Sequence, residues 1–120
     1  MKETESTNPE LIALIRFLKK QSREKQAAIW HDVAEDLAKS RSGRAAVNLS
    51  QINRHTKRSD IVIVPGKILG TGNLSHSLTI AAFDLSQKAE WKLKAAKAKF
   101  LSIPELMEKN PTGSNVKIMR

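Results

Sequence analysis

Cysteine is absent from this chain of 120 residues, which excludes disulfides, thiolate metal sites and thiol nucleophiles. Tyrosine is absent as well. With only three Phe and two Trp, the core has to be built from Ala, Leu, Ile and Val. No apolar run approaches the roughly 18 residues of a membrane span. The start Met1-Lys2-Glu3-Thr4-Glu5 lacks the basic-then-apolar pattern of a secretory leader. The expectation is a soluble cytoplasmic protein with no membrane partner. It is expected to form a single domain over 1–120 that buries about two-thirds of its unfolded surface.

Catalytic patterns are missing too. No Gly-x-Ser-x-Gly elbow is present. His31, His55 and His76 have no companion ligand at helical spacing beyond Glu35 and Asp36 near His31. Gly66, Gly70 and Gly72 invite a phosphate-loop reading, but the third glycine of the dinucleotide fingerprint is replaced by Ser75, and a strand pattern follows where a helix is required. Tight-turn glycines explain them better. No enzyme activity, cofactor, metal or small-molecule substrate is expected.

What the chain does have is positive charge, a formal +9 at neutral pH, and it is concentrated. Residues 41–60 carry Arg41, Arg44, Arg54, Lys57 and Arg58 against Asp60 alone. Residues 87–99 carry Lys88, Lys92, Lys94, Lys97 and Lys99 against Glu90 alone. Residues 1–40 balance seven basic side chains with seven acidic ones. Concentrated like charge opposes compaction, so a polyanionic partner is its natural explanation, with nucleic-acid phosphate foremost. Around the arginines, Ser42, Gly43, Asn48, Ser50, Gln51, Asn53 and Thr56 are small or polar, which permits close approach to phosphate and sugar oxygens. The guanidinium fork can grip phosphate bidentately and stack on a base.

Local patterns give the elements. After a flexible N-terminus over 1–8, Asn8-Pro9-Glu10 reads as a helix start: a cap, a residue suited to the first helical position, and an acid at the positive dipole end. Leu11, Leu14, Ile15 and Leu18 continue it at helical spacing. Trp30, Val33, Ala34 and Leu37 mark a second amphipathic helix within 9–40. Residues 41–60 read as a basic loop, with a short helix from Asn48 or Ser50 to near Arg54, and disorder is predicted there in the absence of a partner.

The region 61–120 is predicted as the core. Ile61-Val62-Ile63-Val64 is a buried strand that Pro65-Gly66 stops; Lys67 to Leu69 is a second short strand, Gly70 to Asn73 a turn, and Leu78 to Phe83 another strand. Ser86 caps a lysine-rich helix whose inner face runs Ala89, Leu93, Ala96 and Phe100, with Trp91, Ala95 and Ala98 opposite. Trp91 is either a lid against another element of this chain or a contact to a partner. Ser102-Ile103-Pro104-Glu105 is a capping box for a helix to Lys109, and Val116 to Arg120 closes as a strand.

Three stretches carry a family resemblance: Val47-Asn48-Leu49-Ser50-Gln51-Ile52-Asn53-Arg54; Val64-Pro65-Gly66-Lys67-Ile68-Leu69-Gly70-Thr71-Gly72-Asn73-Leu74; and Leu106 to Arg120, reached through Ile80-Ala81-Ala82-Phe83, Ser86 and Ala89. In order and over nearly the whole chain, the sequence resembles large-subunit ribosomal protein eighteen of the archaeal and eukaryotic type, a relative of bacterial large-subunit protein fifteen. The resemblance implies a small mixed α/β fold of irregular β-β-α turns preceded by two amphipathic helices. It also implies a structural role binding large-subunit ribosomal RNA beside neighbouring ribosomal proteins, with the arginine-rich segment facing RNA. One departure stands out. Many members end the long helix with Gly-Gly, where this chain has Lys97-Ala98, so the helix is expected to run on or to end in a strained Lys97.

The residues expected to meet RNA are Arg41, Arg44, Asn48, Arg54, His55, Lys57, Arg58, Lys88 and Lys92, with Lys67, Lys117 and Arg120 as weaker candidates. Two other classes compete: a helix-turn-helix DNA-binding regulator, disfavoured by Asp32, Glu35 and Asp36 on its would-be recognition helix, and a small enzyme with a cleft near Gly70 and Gly72.

Overall fold

A computed structural model gives the fold, and the structure describes residues 8–39 and 45–120. Most of the expected flexible N-terminus, together with Arg41 and Arg44, lies outside the described residues. Helix α1 spans Pro9–Lys25; Asn8 Oδ1 accepts the Glu10 N–H at 3.0 Å, and Gln26 closes the helix in the left-handed region. Helix α2 spans Ala28–Leu37 and packs on α1.

Five strands form one sheet in which every pairing is parallel: β1 Ala45–Asn48, β2 Ile61–Leu69, β3 Thr79–Leu85, β4 Lys99–Ser102 and β5 Val116–Ile118. Their order is β1-β2-β3-β4, with β5 also against β2. Parallel neighbours need crossovers, normally helical. Helices α3 (Leu49–His55), α4 (Gln87–Ala95) and α5 (Ile103–Lys109) supply three of them. The fourth, from β2 to β3, is a loop over residues 70–78 with no helix, and it buries Leu74 and Leu78 instead.

Alternation along the strands divides the core in two. Ile63, Ala81 and Leu101 pack with α1, α2 and α5, whereas Val62, Val64, Ile80 and Ala82 pack with α3 and α4. Trp30, wholly buried, fastens the first layer to the distal chain: its indole Nε1 donates to the Pro111 carbonyl at 2.7 Å. The predicted mixed α/β class and the two N-terminal helices are found as expected.

Three expectations need correction. Pro65-Gly66 does not end a strand; β2 runs through it to Leu69. The pairing with β3 slips between Val64 and Lys67, so the proline stands at an irregularity where the ladder tolerates a missing donor. Along the other edge, β2 pairs with β5 through Ile61–Ile63 and with β1 only from Gly66 onward. The Ala45 carbonyl lies where a Cβ on Gly66 would stand, so only glycine permits that approach.

The stretch 45–58 is more than a loop: the short helix expected from Asn48 is found as α3, and β1 precedes it. Asn48 stands at the N-cap of α3 and its N–H donates to Gln51 Oε1 at 3.0 Å.

The lysine-rich helix stops at Ala95, and Lys99 and Phe100 belong to β4. The stop is the strained Lys97 ending, one of the two outcomes expected where the glycine pair is missing. Lys97 takes the left-handed conformation at φ 58°, the Ala98 N–H reaches the Leu93 carbonyl at 3.0 Å, and the Lys97 N–H reaches the Lys94 carbonyl at 3.0 Å. These are the two bonds of a Schellman ending, with lysine where glycine is usual. The Ser102/Glu105 capping box forms as the sequence predicts.

Candidate nucleic-acid interface

The two basic segments are far apart in sequence but share one layer, because α3 and α4 cover the same face of the sheet. The loop 70–78 stitches them together. On the α3 side, the Ser50 N–H donates to the Thr71 carbonyl at 3.1 Å, and Asn53 Oδ1 accepts both the N–H and the hydroxyl of Ser75 at 2.9 Å. Gly72, at φ 89°, lets the loop backbone close onto Ser50. Beyond α3, His76 Nε2 and the buried Thr56 hydroxyl lie 2.8 Å apart, and that hydroxyl also donates to the Ile52 carbonyl at 2.7 Å. On the α4 side, Lys92 Nζ donates to the carbonyls of Gly70, at 2.8 Å, and Gly72.

The space beside the two glycines is therefore filled, by Lys88 next to Gly70 and Ser50 next to Gly72. Among the described residues, no open space lies directly over these two glycines for the enzyme reading to use.

Arg54 and His55 project from the last turn of α3, and Lys57 and Arg58 from the turn that follows; all four are exposed. That turn is built on Asp60, whose Oδ2 accepts the Lys57 N–H at 2.8 Å and Lys117 Nζ at 2.9 Å. The Lys57 amide and the Lys117 ammonium hold the Asp60 carboxyl below its ordinary pKa. None of Arg54, Lys57, Arg58 and Lys88 has a carboxylate partner among the described residues.

Five further candidates are engaged within the chain. Lys117 is bound to Asp60, Arg120 Nε to the buried carboxylate of Asp36 and Lys67 to Asp84 at 3.9 Å; Lys92 is bound to the loop and Asn48 occupies a cap. Within this layer, open positive charge stands at the C-terminal end of α3 and at Lys88 on α4, while on the opposite layer α1 exposes Lys20, Arg23 and Lys25.

Sequence reasoning missed the loop as the connector of the two segments. The glycines at 70 and 72 signal a turn, but nothing local says which helices a turn will touch. Lys92 likewise stands in the sequence as one cation among several, because only the fold shows two carbonyls aimed at its ammonium. On the opposite layer, α2 exposes His31, Asp32 and Glu35, with His31 and Glu35 paired at 3.2 Å. That surface would repel DNA phosphate, which removes the helix-turn-helix reading.

Fold and surface together define a small parallel-sheet α/β protein whose α3–α4 layer joins the two basic segments; no three metal-ligating side chains are grouped among its described residues. Over residues 1–120 it matches the family of ribosomal protein 60S L18 and 50S L18e, and the chain belongs to that family. It is similar to the large ribosomal subunit protein eL18 of Methanothermobacter thermautotrophicus, 47% identical over 113 residues, which cover 94% of this chain and 93% of that one. The protein of the same name from Methanospirillum hungatei is 43% identical over 119 residues, 99% of this chain and 98% of its own. That from Methanoregula boonei is 45% identical over 116 residues, covering 97% and 96%. The family is one of structural ribosomal proteins and not of enzymes.

Proposed function

We propose that this large-subunit ribosomal protein, located in the cytoplasm on the ribosome, holds ribosomal RNA through the layer made by α3, the 70–78 loop and α4. The observation that carries the reading is the convergence of the two basic segments on one sheet face, with Arg54, Lys57, Arg58 and Lys88 free of carboxylate partners among the described residues. Neighbouring ribosomal proteins are the natural partners of the remaining surface.

Recognition is of shape, by phosphate and 2′-hydroxyl contacts, because the major groove of A-form RNA is too narrow for side chains to read. The loop supplies exposed Thr71, Asn73 and Ser75, which suit sugar and phosphate oxygens, on a backbone held from both sides. Rigid presentation reduces the entropy lost on binding.

The test is binding of large-subunit ribosomal RNA across a salt series. With about five phosphates neutralised, log affinity should fall against log salt with a slope on the order of −4. Replacing Arg54 and Arg58 by Ala should weaken binding to all sequences alike and flatten the slope by about 1 for each phosphate no longer neutralised. A salt-independent affinity would remove the reading.

A further inference from the structure

Trp91 is 69% exposed, whereas Trp30, the only other tryptophan, is fully buried. Helix geometry fixes its direction. The buried residues of α4 are Ala89 and Leu93, each two positions from Trp91, which at 100° per residue places the indole on the side away from the core. Among the described residues no element covers it, which favours the partner reading of Trp91 over the internal lid.

In a chain with five aromatic side chains, an indole aimed into solvent has no packing role. Its surroundings state the charge of its partner. Lys88 and Lys94 stand one turn before and one turn after it on the same face of α4. Lys94 pairs with Glu90 at 3.3 Å, and Lys88 has no carboxylate partner among the described residues. Lys92 anchors the helix to the 70–78 loop, so the platform is mechanically continuous with the proposed RNA surface.

From this we infer that Trp91 is a stacking platform for one unpaired RNA base, whose flanking phosphates are met by Lys88 and Lys94. Base–aromatic stacking is insensitive to base identity, because every base has a π-face, and it requires a base released from the duplex stack. The inference rests on the proposed RNA binding and adds a preference that phosphate contacts alone do not give: single-stranded or bulged RNA over a fully paired helix. A protein partner, the other class of occupant for an exposed indole, is less well matched. The cationic rim of α4 calls for polyanion, and indole with flanking lysines is the combination single-strand binders use.

The test uses the whole protein and two RNAs of equal length, an oligoadenylate and a fully paired hairpin. Because Trp30 is shielded, any change in tryptophan emission on adding oligoadenylate reports Trp91. Emission should be quenched with oligoadenylate in the native protein and unchanged in Trp91→Phe. Trp91→Ala should weaken oligoadenylate binding about tenfold, with Trp91→Phe recovering most of that affinity and hairpin binding the same in all three.

Equal affinity of Trp91→Ala and the native protein for oligoadenylate, with no quenching but with salt-dependent hairpin binding intact, would overturn the stacking role and leave the electrostatic reading standing. Absence of binding to either RNA would instead sink the RNA reading and this inference with it. Substitution on an exposed helix face does not threaten folding, and unchanged circular dichroism would verify that.

Discussion

The ammonium of Lys92 reaches across from α4 to the carbonyl of Gly70 at 2.8 Å, so a residue from the second basic segment fixes the loop that the first basic segment also grips. Exchanging it for methionine keeps the aliphatic stem and removes the donor. The Gly70 and Gly72 carbonyls then lose a charged partner, which should cost about 1.5 kcal/mol. In urea the midpoint should fall with the slope unchanged. RNA affinity should fall as the loop loosens, while the salt slope stays as it was, since this ammonium faces protein rather than phosphate.

Lys97 offers the opposite outcome. It holds φ 58° at the end of α4, a conformation that costs an L-residue with a Cβ about 1–2 kcal/mol. Glycine removes that strain but adds freedom to the unfolded chain worth about 0.5–1 kcal/mol. Lys97→Gly should therefore stabilise the protein by about 0.5–1 kcal/mol, read as a rise in thermal midpoint. Lys97→Ala, which retains the Cβ, should give no such gain.

Acid should expose the role of Asp60. The Lys57 amide and the Lys117 ammonium depress its folded pKa below the ordinary 3.8. A depressed carboxylate contributes stability that is complete above the unfolded pKa and is lost as pH falls through the lower folded value. Native protein should then exceed Asp60→Asn in stability at neutral pH, and the gap should narrow below about pH 4 as protonation makes the two alike. Glu105, depressed by the Ser102 backbone and side chain, titrates in both proteins and cancels in the difference. A gap that persists into strong acid would show that Asp60 acts through shape and not charge.

Local signals in the sequence are reliable where one or two residues decide the outcome. Asn8 with Pro9, Ser86, and Ser102 with Glu105 start the helices that their patterns predict, since a cap is a bond between near neighbours. Pro65-Gly66 misleads because the usual meaning of the pair assumes an unbroken ladder. Here β2 exchanges one edge partner for another at that point, and that exchange depends on β1 and β5 from distant parts of the chain. The strand β1 is hidden for a related reason: Ala45 to Asn48 is too short to show a period and acquires its conformation from β2.

Of the candidate interface, charge placement is legible in the sequence and charge availability is not. Composition cannot separate Arg58, which is open, from Arg120, which is spent on Asp36. The helical wheel correctly sets Trp91 opposite Ala89 and Leu93, while the same wheel wrongly extends to Phe100, because the turn at Lys97 carries no glycine to announce it.

The central strand β2 has consequences for how quickly the molecule reaches its native state. Its neighbours are drawn from residues 45–48, 79–85 and 116–118, so the ladder at the middle of the sheet closes only by bringing together segments remote along the chain. Each closure sacrifices chain entropy before the contacts that reward it are made. Folding of the free protein should therefore proceed on the millisecond-to-second scale typical of non-local topologies, and not the microseconds of a helical bundle.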